Sequence, residues 1–278
     1  MSGFRLFLKR FGQNRTAVAG LIVLVLVIAM AVFGPLLYPL DPFEMVDRPS
    51  LPPLDGYLLG TDVSGRDILA GVLHGARVSL LIGILASACA TLIGIAIGAV
   101  AGYYGGTIDT ILMRATDFFL TIPSFVFTVV VVAIFSPTVT NVILAIALVS
   151  WPSVARLARA EFLSHRTRDY VQACKLIGMG DGRIIIRQIL PNALPPIIVV
   201  ASLMVATAIL TEAGLSFLGL SDPNVMSWGY MIGVARTVLR TAWWMAAIPG
   251  VLILVTVLAI SLVGEALNDA LNPRLHQR

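Results

Sequence analysis

Six apolar runs limit what this chain can fold into. They cover residues 17–37, 78–101, 118–135, 142–157, 196–210 (with an extension toward 220) and 245–263. About 20 apolar residues in helical form cross the hydrocarbon core of a bilayer. Inside that core every backbone polar group must find a partner within the protein, which leaves helices or closed barrels. Runs of this length predict an all-α polytopic membrane protein with six transmembrane helices. Composition agrees: 58% of the residues are hydrophobic and 12% charged, against about a quarter charged in soluble domains. Lipid is therefore the solvent. The net charge of +4 is read as a record of orientation, not as a nucleic-acid footprint.

The first run competes with a signal peptide, since Ala29-Met30-Ala31 fits a small-residue cleavage pattern. The run continues past that point, beyond the roughly 7–15 residues of a signal core, which favours an uncleaved first span. Six spans put both termini on one side. Arg5, Lys9, Arg10, Arg15, Arg114, Arg274 and Arg278 fall on that side, together with the basic group at 156–187. The positive-inside rule then makes the termini cytoplasmic and the acidic, proline-rich segment 40–76 external. In that segment Ser64-Gly65-Arg66-Asp67 has capping-box spacing, which predicts a short interfacial helix beginning at Ile68. Gly83, Gly94, Gly98 and Gly102 recur in the second run at spacings that favour close helix packing, or a sliding face.

One polar segment stands apart. Residues 161–192 read EFLSHRTRDYVQACKLIGMGDGRIIIRQILPN, rich in arginine and patterned as helix, turn, helix. Tyr170, Ala173, Cys174 and Ile177 recur at i, i+3, i+4, i+7, an apolar stripe on one helix. Gly178 to Gly182 ends that helix, Asp181 is placed to cap the next, and Pro191 is expected to close it. The two-helix elbow has the grammar of a docking surface.

The chain shows no engine of its own. It carries no GxxxxGK[ST] phosphate loop. His74, His165, His276, Cys89 and Cys174 form no cluster with metal-ligand spacing, and no catalytic constellation is visible. No residue is therefore expected to act in catalysis or to ligate a metal. Glu212 is the acid nearest a span interior, which makes it a translocation-pathway candidate, with a buried structural carboxylate as the alternative. Asp109, Arg114 and Asp117 are read as interfacial anchors of the third span, and Trp228, Trp243 and Trp244 as an interface belt.

The elbow resembles the cytoplasmic loop of binding-protein-dependent ABC importer permeases, EAA-x3-G-x9-I-x-LP. Gln172-Ala173-Cys174 stand for its triplet, Gly178 for its glycine and Leu190-Pro191 for its close. Gln172 and Cys174 depart from the pattern, and Gln188 holds the isoleucine position. Residues 60–67 (GTDVSGRD), 75–80 (GARVSL), 211–220 (TEAGLSFLGL) and Trp228-Gly229 are similar to the C-type subunit of the dipeptide, oligopeptide and nickel importers. The resemblance implies a type I ABC importer permease fold and a non-catalytic subunit that passes peptides across the inner membrane. A nickel or other small-solute importer is the alternative, and a stand-alone secondary transporter a further one. Its implied partners are a second homologous permease, two cytoplasmic ABC ATPases that bind ATP and Mg, and a periplasmic or lipid-anchored solute-binding protein. The implied organisation is a cytoplasmic segment 1–16, a first span and periplasmic loop 17–77, a five-helix core 78–270 with its coupling loop 161–192, and a cytoplasmic tail 271–278. Tyr170, Gln172, Ala173, Cys174, Gly178, Leu190 and Pro191 become ATPase-coupling candidates. Asp62, Arg66, Asp67 and Trp228 become docking candidates for the binding protein.

Overall fold

The computed structural model describes Gly12 and residues 14–271, with side chains to residue 268. Arg5, Lys9 and Arg10 of the basic N-terminal segment, and Arg274, His276 and Arg278 of the tail, lie outside the described residues. Among the described residues five helices are long and apolar enough to cross a membrane. A sixth crossing is available if one bent pair counts as a single span.

Helix α1 (Arg15–Leu37) starts at Asn14, whose side chain accepts from the Thr16 and Ala17 amides. Helix α2 (Ile68–Tyr104) is 37 residues long. The expected interfacial helix is simply its first turns. Its cap is Asp67 and not Ser64, because Asp67 Oδ1 accepts from the Leu69 amide at 2.9 Å. Most of the contact that α2 makes is with α5 (Val139–Arg166). Gly94, Gly98 and Gly102 lie at that contact, and a Cβ on Gly102 would sit 2.7 Å from both the Arg159 carbonyl oxygen and Phe162 Cβ. Close packing is therefore what these glycines allow.

The third span differs from its expected form. The third apolar run covers 118–135, yet α3 (Gly106–Thr121) begins well before it and meets α4 (Ser124–Phe135) at an 85° bend. Pro123 accounts for the break, because it drives the preceding Ile122 into extended backbone. The acids of α3 are neutralised by α5. Arg159 donates to both oxygens of Asp109 at 2.5 and 2.6 Å, and Arg156 pairs with Asp117. They are ties between helices rather than free interfacial anchors.

After α5 come the short α6 (Asp169–Leu176) and then α7, which runs unbroken over Asp181–Phe217. Pro191 does not close the second elbow helix. Residues Ile185–Ile189 form a wide π turn just before it, and Pro191 sits in the first turn of the α-helical stretch that follows, where a missing N–H is tolerated. Helix α8 (Trp228–Ala235) and helix α9 (Trp244–Leu271) complete the chain. Val27 and Ala31 of α1, Ala76 and Leu80 of α2, Ile209 of α7, Trp228 and Ile253 form one core. Ala99, Tyr103, Phe162, Val171, Ile184 and Ile189 form another beneath the elbow.

Candidate functional site: the elbow and the arm it joins

The elbow packs on the ends of α2 and α5 and carries the start of α7. Val171 is fully buried, and Tyr170, Cys174 and Met179 pack on the same cluster. The Tyr170 hydroxyl is hydrogen-bonded to His165 Nδ1 at 2.9 Å, and burial pushes its phenol up from the usual range. The Tyr103 hydroxyl donates to Asp181 Oδ1 at 2.6 Å, which ties α2 to the start of α7. Arg166 reaches the Gly102 and Tyr103 carbonyls, and Gln172 Nε2 donates to the Arg166 carbonyl at 2.9 Å. Gly178 has φ +75°, and it ends α6 with amide bonds from Gly178 to Lys175 and from Met179 to Cys174, both 3.0 Å. This is the glycine-terminated form in which the last carbonyls of a helix are satisfied by the reversing chain.

The outward surface is not the stripe expected from sequence. Tyr170 and Cys174 turn inward. Leu176 is 88% exposed and Ile177 77% exposed, beside exposed Gln172 and Ala173. Leu176 takes this place because it lies three residues from Ala173 on the same helical face, away from Val171. Ile186 and Arg187 of the π turn are exposed as well, whereas Leu190 is half-buried and Pro191 exposed. Asp181 does not cap by its side chain; Gly180 holds the cap position and Asp181 the first turn. The elbow therefore offers three large apolar side chains, Leu176, Ile177 and Ile186, in a basic setting, held by a buried floor.

Glu212 lies near the far end of α7, and it is buried. Its Oε1 accepts from Ser227 Oγ at 2.7 Å and Ser216 Oγ at 3.0 Å, while Oε2 has no partner among the described residues. Gly229 packs so closely on this carboxylate that a Cβ there would lie 2.5 Å from either oxygen. The Ser227 hydroxyl also accepts from the Tyr230 amide at 2.9 Å, so the acid fixes the start of α8. Its geometry is that of a structural anchor.

Two of the docking candidates are interior. Trp228 is fully buried; its indole donates to the Val72 carbonyl at 3.0 Å and its amide to Ser79 Oγ at 3.0 Å. It is a core residue of the cap over α2, not part of an interface belt, whereas Trp243 is exposed. Asp67 is also buried and accepts from the Tyr38 hydroxyl at 2.7 Å, a bond that pushes Tyr38 up to about 12. Asp62 uses Oδ1 to hold the Ser64 and Arg66 amides at 2.7 and 2.9 Å. Arg66 donates to the Tyr230 hydroxyl at 3.0 Å and stacks over Phe43. These four residues build the segment at that end; only Asp62 and Arg66 keep partial exposure.

The model of the family described as binding-protein-dependent transport system inner membrane component matches residues 94–277. The N-terminal TM domain of oligopeptide transport permease C matches residues 2–53. The di/tripeptide transport system permease protein DppC of Pseudomonas aeruginosa is 42% identical over 97% of this chain and 91% of its own length. The dipeptide transport system permease protein DppC of Haemophilus influenzae is 42% identical over 96% and 93%, and that of Escherichia coli K12 is 41% identical over 100% and 95%. Among solved structures, an inward-facing MetNI methionine ABC transporter aligns over 73% of this chain and 96% of that chain, with a TM-score of 0.59 at 18% identity. An amino acid ABC transporter aligns over 69% and 89%, with a TM-score of 0.52 at 17% identity. These two likenesses show a shared fold.

Proposed function

The chain belongs to the binding-protein-dependent transport system inner membrane components, and from that premise we propose how it works as the permease subunit of a peptide importer. The carrying observation is the identity of 41–42%, over nearly the whole chain, to permeases named for dipeptide or di/tripeptide transport. That supports peptides over the nickel and secondary-carrier alternatives. Separate ATPase subunits supply the energy and hold ATP and Mg. A second, homologous permease completes the pathway, and a solute-binding protein delivers the peptide. The bias of basic residues supports an elbow and termini on the cytoplasmic side.

The elbow is the handle. Leu176 and Ile177, with Ala173 and Gln172 beside them, dock in a groove on an ATPase while nearby arginines steer the encounter. Because α7 continues from Asp181 to Phe217 without interruption, a displacement at the elbow travels along an arm of roughly 55 Å at 1.5 Å per residue. The arm passes the middle of the membrane, and its last turns meet the start of α8 through Glu212. ATP-driven closure of the ATPases tilts the arm and opens the interior to alternate sides; tightly packed helices convert small shifts into two discrete arrangements.

The test is reconstitution of the chain with its companion permease, ATPases and binding protein in vesicles. ATP-dependent uptake of a dipeptide is the expected result. Uptake of nickel with no uptake of peptide would overturn the reading.

A further inference from the structure

A cavity of about 400 Å³ lies between α3, α4, α5 and α7, at the 85° bend. Its volume falls within the range of small-molecule sites, roughly 300–1,000 Å³. Six hydroxyl side chains line it: Ser124 and Thr128 of α4, Ser150 and Ser153 of α5, Thr207 and Thr211 of α7. Among the described residues no ionisable side chain lines it. The nearest acid along α7, Glu212, is turned away and engaged by Ser216 and Ser227. One turn toward the elbow, Arg156 and Asp117 neutralise each other.

Six hydroxyls around one cavity give an otherwise apolar lining a polar face. Thr128, Thr207 and Thr211 spend their protons on carbonyls of their own helices, at 2.8, 3.0 and 2.8 Å, and keep their lone pairs. Ser124, Ser150 and Ser153 make no side-chain hydrogen bond among the described residues. A hydroxyl both donates and accepts. One such lining therefore serves a carboxylate, an ammonium and an amide alike, which are the groups every peptide carries. A charged lining would favour one sign and penalise the other.

Resting on the peptide-importer reading above, we propose that this cavity is the chain's share of a peptide subsite, and that its hydroxyl lining makes passage indifferent to the net charge of the peptide. Ser153 and Thr207 are exposed within it, so both tolerate a polar replacement without loss of packing. Selectivity for charge is absent from this subsite by construction, and a single fixed charge there creates it.

The experiment measures uptake of Ala-Ala, Glu-Ala and Lys-Ala by the assembled complex in vesicles. Each rate is divided by that of the wild-type complex with the same peptide, which cancels the preference of the binding protein. Ser153→Asp is expected to slow Glu-Ala relative to Ala-Ala on the order of tenfold, and to spare Lys-Ala, because like charges a few ångströms apart repel even at the intermediate dielectric of a protein surface. Ser153→Lys is expected to invert that order, and Thr207→Asp to repeat the pattern of Ser153→Asp from the facing helix. Equal slowing of all three peptides in every variant, or no change in any, overturns the proposal. A wild-type complex that moves none of the peptides would instead overturn the importer reading itself.

Discussion

Removing the two most exposed apolar side chains of the elbow is the sharpest perturbation the structure suggests. Leu176 and Ile177 are 88% and 77% exposed, so almost none of their transfer free energy is used within this chain. Full burial of such a side chain is worth about 1.5–3 kcal/mol. Alanine retains part of that, so Leu176→Ala and Ile177→Ala should each weaken the hold of the ATPase by about 1–2 kcal/mol. At about 1.4 kcal/mol per tenfold, the pair should lower affinity on the order of a hundredfold. Fold stability should hardly change, since neither side chain belongs to the buried cluster of Val171, Ile184 and Ile189. The assay is titration of the purified ATPase onto the permease pair in detergent or nanodiscs, with thermal unfolding of the permease measured in parallel. A double variant that unfolds normally and binds the ATPase as tightly as wild type would refute the handle. A variant that loses both stability and binding would show that these residues are part of the floor, contrary to their exposure.

Two further outcomes follow from particular contacts. Gly178→Leu meets no neighbouring atom, but its φ of +75° is one that leucine rarely adopts. About 1 kcal/mol of backbone strain should shift the end of α6, and ATPase activity stimulated by the binding protein should persist while transport per ATP falls; unaltered coupling would count against a rigid elbow. Glu212→Ala should strip the Ser216 and Ser227 hydroxyls of their shared acceptor and destabilise the protein by roughly 2–4 kcal/mol, read as a lower Tm, whereas Glu212→Gln should keep the wild-type peptide preference per folded molecule. A changed preference in Glu212→Gln would restore that residue to the pathway.

How much could be read from sequence depended on the range of the interaction. Runs of apolar residues are local, so the crossings were legible, as was the helix–glycine–helix order of 169–184. The start of α3 was not, because Asp109 and Asp117 look like charges that end a span. What permits them is a pair of arginines on α5, 50 and 39 residues away in sequence, beyond the reach of any local window. The stripe of Tyr170, Ala173, Cys174 and Ile177 was recognised, but periodicity cannot say whether a stripe faces its own protein or a partner. The buried floor of Val171, Phe162 and Ile189 splits it, sending Tyr170 and Cys174 inward and leaving Ile177 outside. Pro191 misled for a related reason: a proline usually ends a helix, and the π turn at Ile185–Ile189 that absorbs it has no signature of its own. Glu212 was noticed as an acid in a span, while Ser227 and Gly229, which define its role, stand on a different element. The hydroxyl-lined cavity could not be assembled from sequence at all, since its six hydroxyls come from three helices that meet beside the bend at Pro123.

The most direct measurement of the central claim is site-specific photo-crosslinking in the assembled complex. A photoreactive residue is placed either at Ile177 on the elbow or at Leu54 in the segment at the other end, both exposed. The account predicts that Ile177 captures an ATPase subunit, with a yield that depends on nucleotide, and that Leu54 captures none. Capture of the ATPase from Leu54, or its absence from Ile177 in a complex that hydrolyses ATP, would contradict it.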